Sequence, residues 1–462
     1  MKSLQNIKNV YFLGIGGIGM SALARYFKFT GRNVAGYDRT PTALTEAMQS
    51  EGISVHFADD IRNIPSNWNP ASTMAVYTPA LPDEHKELTW FRERPILLMK
   101  RAKVLGMICN EKDGIAVAGT HGKTTISTMT ATILNKTVDG CGAFLGGVSK
   151  NFGSNLLLPK VNSPWIVVEA DEFDRSFLHL QPKHALITSI DADHLDIYGS
   201  RDKIIEAFEK FISQIKPGGK LVIRKGLDLD LSKTTAEIFT YSLQGDTDFS
   251  TQQLHLNTDE GCYEFDIKTP GGIISGCKMN YPGLINVENA VGAASLAFLS
   301  GASGDEIKNG LQEYIGVARR FDIRFRNEKY IYIDDYAHHP EELKAVISSV
   351  RALYPNREIT GLFQPHLYSR TRDFSAEFAA SLDLLDRCIL LPLYPAREEP
   401  IPNVNSEMIF NQMKLGNKFL ESKQDALNRL RDTNTDVIIT MGAGDIDGLA
   451  IEITEIMKSK NQ

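Results

Sequence analysis

Short apolar runs alternate with longer amphipathic stretches over the first part of the chain. Short continuous apolar runs are typical of buried strands, and apolar positions recurring every three or four residues are typical of helices that cover a sheet. The pattern therefore predicts a compact α/β unit. The predicted strands are residues 11–13, 34–37, 54–57 and 74–77.

The same alternation predicts two further α/β units along the chain. A connector over residues 105–114 is expected to lead into the second unit, in which residues 240–279 change to short, polar-alternating strands typical of an antiparallel edge sheet. A helix over residues 286–300 closes this unit, and residues 319–322 resemble a hinge before the third. Further strands are predicted at residues 165–168, 185–190, 220–223, 330–333, 359–363, 388–392 and 437–441.

Composition narrows the class of protein. The 462 residues exceed what one hydrophobic core usually serves, so two or three domains are expected. A net charge of -7 and the lack of a basic stripe with interleaved aromatic residues exclude nucleic acid as an expected partner. No run approaches the about 20 apolar residues of a membrane span, and residues 1–9 lack the features of a signal peptide. The five cysteines, odd in number and without metal-ligand spacing, are expected to be buried free thiols in a reducing cytoplasm.

A phosphate-binding turn is predicted at residues 115–125, which read I-A-V-A-G-T-H-G-K-T-T. Backbone N–H groups of the turn and of the following helix start would point at phosphate oxygens, Lys123 would bind the outer phosphates, and Thr124 offers a hydroxyl for Mg²⁺. The strict G-x-x-x-x-G-K-[ST] pattern requires glycine where Val117 stands, and the chain offers Gly119 instead. ATP is the predicted ligand, and an ordinary glycine-rich strand-to-helix turn is the alternative.

A second glycine-rich turn, G-I-G-G-I-G-M, follows the first predicted strand and precedes a helical run over residues 21–29. Gly14, Gly16 and Gly19 fit G-x-G-x-x-G, and Asp38 follows at roughly the distance where a Rossmann unit presents an acid to a ribose. The turn suits a nicotinamide or flavin dinucleotide, a nucleotide-sugar diphosphate, or no ligand. Two phosphate sites in one chain favour a reaction between two nucleotides over a redox reaction.

Acidic residues gather directly after two predicted strands of the second unit. The segment E-A-D-E-F-D places Glu169, Asp171 and Glu172 at the carboxyl end of a buried strand, where acids commonly bind Mg²⁺. A solvated acidic loop is the alternative. The segment D-A-D-H-L-D places His194 between two aspartates, either as a ligand or as a structural histidine.

Side chains of both charges follow two predicted strands of the third unit. The segments D-D-Y-A-H-H-P and Q-P-H-L-Y-S-R-T-R-D supply Asp335, Tyr336, His338, His366, Arg370 and Arg372. Such a mixture suits an anionic substrate that is brought toward ATP.

Taken together, these segments resemble the Mur ligases of peptidoglycan synthesis. The motifs run in order from about residue 10 to 447 and include R-R-F-D and M-G-A-G-D-I. The likeness is greatest to members that join L-alanine to the lactyl carboxylate of UDP-N-acetylmuramate. It implies a cytoplasmic ATP-dependent ligase of three α/β domains with largely parallel sheets, Rossmann-like at both ends and P-loop ATPase-like in the centre. The expected domains are residues 1–107 for the UDP substrate, 108–317 for ATP and 318–462 for the amino acid.

The resemblance also implies a reaction and roles for residues. ATP would phosphorylate the lactyl carboxylate, and the amine of L-alanine would attack the resulting acyl phosphate. Thr124 and Glu169 would bind one Mg²⁺, and His194 a second. The implied catalytic residues are Lys123, Glu169, His194 and Arg320.

The resemblance implies three binding sites. The ATP site would comprise Gly119, Thr120, His121, Gly122, Lys123, Thr124, Thr125, Asn289 as the adenine contact, Arg320 at the phosphates and Asp335 at the ribose. The UDP-substrate site would comprise Gly14, Gly16, Gly17, Ile18, Gly19 and Asp38. Tyr336, His338 and Arg370 would orient L-alanine.

Some positions depart from the family's pattern. Ile285 stands where relatives often have histidine, and Leu367 where they commonly have arginine, which would leave more of the carboxylate recognition to Arg370. A lysine carbamylated in some sister ligases would fall near Lys203 or Lys210, for which solvated helix positions are the plainer interpretation. Three alternatives stay open: a same-fold ligase that attaches a whole tripeptide, a dinucleotide-dependent oxidoreductase, and a nucleotide-gated binding protein without ligase chemistry.

Overall fold

The computed structural model describes residues 4–79, 81–191, 198, 200–257, 260–396 and 398–460. The first sheet is built from strands β1 Asn9–Leu13, β2 Asn33–Tyr37, β3 Ser54–His56, β4 Thr73–Tyr77 and β5 Leu97–Lys100. All are parallel, in the order β3-β2-β1-β4-β5. The helices of this region are α1 Ile18–Phe29, α2 Ala43–Ser50, α3 Lys86–Arg92 and α4 Arg101–Asn110.

The central sheet has seven strands: β6 Asp113–Ala118, β7 Gly142–Ser149, β8 Ser154–Leu157, β9 Trp165–Glu169, β10 His184–Ile187, β11 Lys220–Arg224 and β12 Glu237–Tyr241. Their order is β12-β11-β10-β6-β9-β7-β8, and only the β7–β8 pair is antiparallel. A separate three-stranded sheet follows, with β13 Ser250–Asn257, β14 Cys262–Thr269 and β15 Gly272–Met279. The helices are α5 Lys123–Leu134, α6 Arg201–Ile212, α7 Leu284–Leu299 and α8 Gly304–Gln312.

The third sheet contains β16 Asp322–Arg326, β17 Ile331–Asp335, β18 Ile359–Phe363, β19 Arg387–Leu390, β20 Lys418–Leu420 and β21 Val437–Met441. The order is β16-β17-β21-β18-β19-β20, with β16 antiparallel to β17 and the other pairs parallel. Its helices are α9 Pro340–Leu353, α10 Tyr368–Leu382, α11 Glu407–Gln412, α12 Lys423–Asp432 and α13 Ala450–Ser459.

Helix α5 shows how an unusually polar sequence comes to lie inside the protein. Its residues from Thr124 to Leu134 are all buried, although many carry hydroxyl groups. The hydroxyls of Thr128 and Thr132 donate back to the carbonyls of Thr124 and Thr128, at 2.7 and 2.8 Å. Because these hydroxyls are satisfied within the helix, their burial carries little desolvation penalty.

The chain divides into two compact units. The first consists of residues Met1–His255, Glu264–Met279 and Glu288–Tyr314, and the second of Leu256–Tyr263, Asn280–Val287 and Ile315–Gln462. Within the first unit, the first and central sheets share one hydrophobic core, in which Phe27, Val104 and Ala116 are buried. The third sheet has a core of its own around Tyr332, Leu362 and Ile453.

The predicted α/β class and the largely parallel sheets are confirmed, and each predicted strand overlaps an observed one. The strands β5, β7, β8, β16 and β20 were not predicted. The connector expected over residues 105–114 consists of the end of α4 and the start of β6, which begins at Asp113. One detail was wrong. The change at residue 240 comes later, since Thr240 and Tyr241 still pair in parallel with β11 and the separate sheet begins at Ser250. The predicted domain boundaries stay predictions.

The cysteine prediction is confirmed in its structural part: Cys109, Cys141, Cys262, Cys277 and Cys388 are free and buried. Burial raises the pKa of the Cys141 and Cys388 thiols to about 12, so these thiols are not activated nucleophiles. Within the described part of the chain, no helix combines the length and apolar character needed to cross a bilayer.

Candidate active site

The turn between β6 and α5 has the backbone of a phosphate cradle. Gly119 and Gly122 both have positive φ, at +127° and +81°, a region that favours glycine. A Cβ at Gly119 would lie 2.0 Å from the Oγ1 of Thr188, and one at Gly122 would lie 2.9 Å from the Oδ1 of Asn289. Glycine is therefore required at both positions by conformation and by space. The predicted adenine contact, Asn289, is buried beside this turn.

The turn is also fixed to the strand next to it. The N–H groups of Thr120 and His121 donate to the carbonyl and the hydroxyl of Ser189, each at 3.1 Å. The Thr120 hydroxyl donates to Asp191 at 2.9 Å, and the His121 ring lies 3.4 Å from the same carboxylate. These contacts hold the turn in shape before any ligand arrives, which reduces the entropy cost of binding.

Lys123, the first residue of α5, forms a buried ion pair. Its Nζ donates to the carbonyl of Gly119 at 2.6 Å and to both carboxylate oxygens of Glu172, at 2.8 and 2.9 Å. Glu172 is only 2% exposed. Burial alone lowers the pKa of Lys123, but the carboxylates of Glu172, Asp171 and Glu169 outweigh it and raise the pKa above its usual value. Lys123 is therefore a fixed cation. The sequence named Glu172 only as one acid of a cluster and did not identify it as the partner of Lys123.

Glu169 ends β9, at the carboxyl edge of the central sheet. Its Oε2 is buried and has no hydrogen-bond partner among the described residues. A Cβ at Gly146 on the adjacent strand would lie 2.1 Å from this oxygen, so glycine makes the room that the carboxylate occupies. A buried carboxylate oxygen without a donor is costly unless a cation binds it. Thr124 is also buried, at the start of α5, so these residues fit a magnesium ion.

The other predicted metal ligand, His194, lies outside the described residues. The chain is described on both sides of it, at Asp191 and at Tyr198. The Tyr198 hydroxyl donates to the backbone carbonyl of Glu172 at 2.7 Å. Tyr198 is therefore attached to the acidic segment.

The first glycine-rich turn joins β1 to α1. The N–H groups of Gly14 and Ile15 donate to the carbonyl of Tyr37, at 2.8 and 2.9 Å, and the N–H of Gly16 donates to the Oδ2 of Asp38 at 2.7 Å. In this structure the predicted sugar-nucleotide acid, Asp38, therefore holds the turn itself. Gly17 caps α1 and leads into Ile18 and Gly19, the first two residues of the helix.

In the third sheet, Asp335 ends β17 and is buried. Its two carboxylate oxygens accept the N–H groups of Phe321 and Ala337, at 2.6 and 2.7 Å. Burial raises the pKa of this carboxyl group to about 6, against the opposing charge of Arg320. The carboxylate thus organises the turn that carries Arg320, in addition to the ribose contact predicted from the sequence.

Tyr336, His338 and Arg320 form a cluster beyond the same strand. The Arg320 guanidinium lies 5.1 Å from the centre of the Tyr336 ring, and the Nδ1 of His338 lies 2.9 Å from the carbonyl of Tyr336. Burial lowers the pKa of His338 to about 4, and the charge of Arg370 adds to this effect. His338 is therefore neutral near pH 7 and can accept a hydrogen bond from an ammonium group, although a pKa this low makes it a weak base. Glu342, which accepts the N–H of His338 at 3.0 Å, was not singled out from the sequence.

Leu367, one of the positions that depart from the family's pattern, precedes α10 with a φ of +71°. Its N–H donates to the carbonyl of Tyr394 at 3.1 Å. A non-glycine residue in this region carries strain, which tertiary contacts must compensate and which often occurs beside binding sites. Arg370 lies in the first turn of the helix that follows.

Three families of known proteins match successive parts of this chain. The families described as Mur ligase family catalytic domain, Mur ligase middle domain, and Mur ligase glutamate ligase domain match residues 9–113, 117–297 and 319–444. Curated relatives from Phocaeicola vulgatus and Porphyromonas gingivalis are each 47% identical over 99% and 98% of this chain and 100% of their own length. Both are named UDP-N-acetylmuramate–L-alanine ligase.

Solved structures give the same result for the fold. The crystal structure of a UDP-N-acetylmuramate-alanine ligase from Thermotoga maritima is similar with a TM-score of 0.81 and 26% identity, over 98% of this chain and 99% of that one. A murein peptide ligase from Psychrobacter arcticus is similar with a TM-score of 0.71 and 21% identity, over 97% and 98%. At that identity the second likeness concerns the fold alone.

Proposed function

The chain belongs to the Mur ligase family, and from that premise we propose that it joins L-alanine to the lactyl carboxylate of UDP-N-acetylmuramate at the expense of ATP. The observation that carries the proposal is the Lys123 turn, a preformed phosphate cradle beside the buried, partnerless Glu169 oxygen. The full-length likeness to relatives named for this reaction supports the choice of substrates. A dinucleotide-dependent oxidoreductase would leave the Lys123 turn without a function.

The first step requires a phosphoryl group to move from ATP to a carboxylate. Lys123 is proposed to neutralise the phosphate oxygens, and the N–H groups from Gly119 to Gly122 to hold them in line. Thr124 and Glu169, with His194, are proposed to hold Mg²⁺, which when bound screens the repulsion between the two anions. Asn289, Arg320 and Asp335 are proposed as further ATP contacts.

The second step requires an amine to attack the acyl phosphate. L-Alanine carries an ammonium group, which must lose a proton before it can react. Neutral His338 lies beside Tyr336, and the charge of Arg370 acts on it, so the cluster has a hydrogen-bond acceptor for the ammonium group and a cation for the amino-acid carboxylate. The turn over residues 16–19 is proposed to bind the diphosphate of the sugar nucleotide, through the N–H groups of Ile18 and Gly19, with Asp38 near the uridine.

The test is phosphate release by the purified protein with ATP, Mg²⁺ and UDP-N-acetylmuramate, measured with L-alanine and with the tripeptide L-Ala-γ-D-Glu-meso-diaminopimelate. We expect strong stimulation by L-alanine alone and its loss in Lys123→Ala. Stimulation only by the tripeptide would assign the protein to the recycling branch of the same fold. ATP binding without release under either condition would identify a nucleotide-gated binding protein.

A further inference from the structure

Arg101 lies at the same edge of the first sheet as the first glycine-rich turn. It is the first residue of α4 and directly follows the last residue of β5. The strand register pairs Leu13 with Tyr77 and Tyr77 with Lys100, so these three strand ends form one row. The residues that follow this row, including Arg101 and the glycines of the turn, therefore emerge at the carboxyl edge of the sheet, where ligands bind in parallel α/β folds.

The Arg101 side chain lies against the first turn of α1. A Cβ built on Gly19 would be 2.6 Å from the Nη1 of Arg101, 3.2 Å from its Cδ and 3.3 Å from its Cζ. Only glycine leaves room for the guanidinium at this place. The third glycine of the turn thus admits an arginine from a distant part of the chain, besides allowing a ligand to approach the helix.

The N–H donors of Arg101 and of the start of α1 have few acceptors within the described part of the chain. Arg101 makes no hydrogen bond there, and its one ion-pair partner is Asp171, at 3.9 Å. Its side chain is 25% exposed, so the guanidinium is partly withdrawn from water. The N–H groups of Ile18 and Gly19 belong to the first turn of α1, where no intrahelical acceptor exists. A guanidinium and these amides together form a place for an anion.

The architecture does not need Arg101 to hold α4 in position. Gly106 packs so closely on His179 that a Cβ would lie 2.5 Å from the His179 carbonyl oxygen. The Asn110 side chain donates to that carbonyl at 3.1 Å and accepts the N–H of Gln181 at 2.8 Å. The residue before Arg101, Lys100, already forms an ion pair with the acidic segment, at 3.1 Å from Asp174. Arg101 therefore lies beside the turn without a structural task of its own.

We propose that Arg101 is a further substrate-binding residue, which donates hydrogen bonds to an oxyanion of the sugar nucleotide together with the amides at the start of α1. This inference rests on the function proposed above. Two groups of UDP-N-acetylmuramate share the required chemistry, the diphosphate and the lactyl carboxylate. The weak contact with Asp171 is one that an incoming anion can replace.

The test is the Kd of UDP-N-acetylmuramate, UDP-N-acetylglucosamine and UDP, measured by calorimetry with and without a non-hydrolysable ATP analogue. The variants are Arg101→Gln and the control Lys100→Gln, which removes an equal charge one residue away. Arg101→Gln should weaken UDP-N-acetylmuramate binding about 10- to 100-fold, as expected for charged hydrogen bonds, and leave ATP-analogue binding unchanged. Lys100→Gln should have little effect on either ligand, because a surface ion pair contributes little.

The three ligands distinguish the two anionic groups. Equal weakening for all three assigns Arg101 to the diphosphate, and weakening for UDP-N-acetylmuramate alone assigns it to the lactyl carboxylate. Both results support the proposal. An Arg101→Gln protein that binds UDP-N-acetylmuramate as tightly as the Lys100→Gln control overturns it. A wild-type protein that binds none of the three contradicts the proposed function itself.

Discussion

The two glycine-rich turns of the first compact unit begin alike and are completed differently. In each, a parallel strand ends at a glycine with positive φ, Gly14 at +85° and Gly119 at +127°, and a helix follows. The second turn contains its own cation, since Lys123 is the first residue of α5. The first turn of α1 has no basic residue, and its nearest guanidinium comes from Arg101 on another helix.

This difference explains why one motif indicates the class of its ligand and the other does not. The Lys123 turn carries conformation, amides and charge in one stretch of sequence, so its ligand class can be inferred from that stretch. The first turn carries conformation and amides only, which is why a redox cofactor, a sugar nucleotide and no ligand all fitted it. Its charge is supplied by the tertiary fold.

The largest effect is expected from Gly119→Ala. The new Cβ would meet the Thr188 side chain at 2.0 Å and backbone nitrogens at 2.9 Å, in a conformation that alanine rarely adopts. ATP-dependent phosphate release should fall at least about 100-fold, the cost of losing one well-placed phosphate donor. Gly114→Ala, on the strand that precedes the turn, is the control, because the nearest contact of the added Cβ is 3.6 Å and the variant should remain active. Equal activity of the two variants would show that the turn does not need its present shape.

The next largest effect is expected from Glu172→Gln in the absence of nucleotide. The change leaves the buried Lys123 ammonium without its anion. The free energy of unfolding, measured in urea, should therefore fall by about 3 kcal/mol. Because ATP phosphates can replace the missing charge, ATP should raise the Tm of this variant more than that of the wild type. Asp171→Asn, at a neighbouring and more exposed carboxylate, should lower the free energy of unfolding much less. A smaller ATP-induced shift in Glu172→Gln would mean that Glu172 supports the bound state instead.

A smaller effect is expected from Gly19→Ala, which tests whether the first turn depends on Arg101. The added methyl group would displace only the flexible end of the Arg101 side chain, so the fold should survive. The Kd for UDP-N-acetylmuramate should rise by about tenfold, the effect of one charged hydrogen bond. The double variant, Gly19→Ala with Arg101→Gln, should bind UDP-N-acetylmuramate no more weakly than Arg101→Gln alone. Additive losses would show that Gly19 and Arg101 act independently.

The smallest effect concerns Glu87, a buried carboxyl group in α3, in the region that carries the first glycine-rich turn. Glu87 accepts from the Tyr11 hydroxyl at 2.7 Å and lies 3.4 Å from His56, with Asp59 and Asp60 nearby. Burial raises its pKa from 4.5 to about 7. The folded chain then keeps a proton that the unfolded chain loses, so this group's contribution to stability falls as pH rises from 4.5 to about 7.

Glu87→Gln checks this pH dependence by urea unfolding across that window. Glutamine has nearly the same shape as glutamate and does not titrate, so the variant should lose stability less steeply with rising pH than the wild type. His56 works in the opposite direction, because burial lowers its pKa, and the comparison of the two proteins removes its contribution. Parallel curves for the two proteins would show that Glu87 does not titrate in this range.

The sequence by itself determined the α/β class, most of the buried strands and both glycine-rich turns, because these depend on local periodicity and on backbone conformations that few residues adopt. It also determined the family, through motifs whose residues are close together in the chain. The tertiary structure decided the contacts between distant segments: Glu172 against Lys123, Asp38 against Gly16, and Arg101 against Gly19. No local pattern encodes such pairs, since each depends on how parallel strands bring their carboxyl ends to one edge.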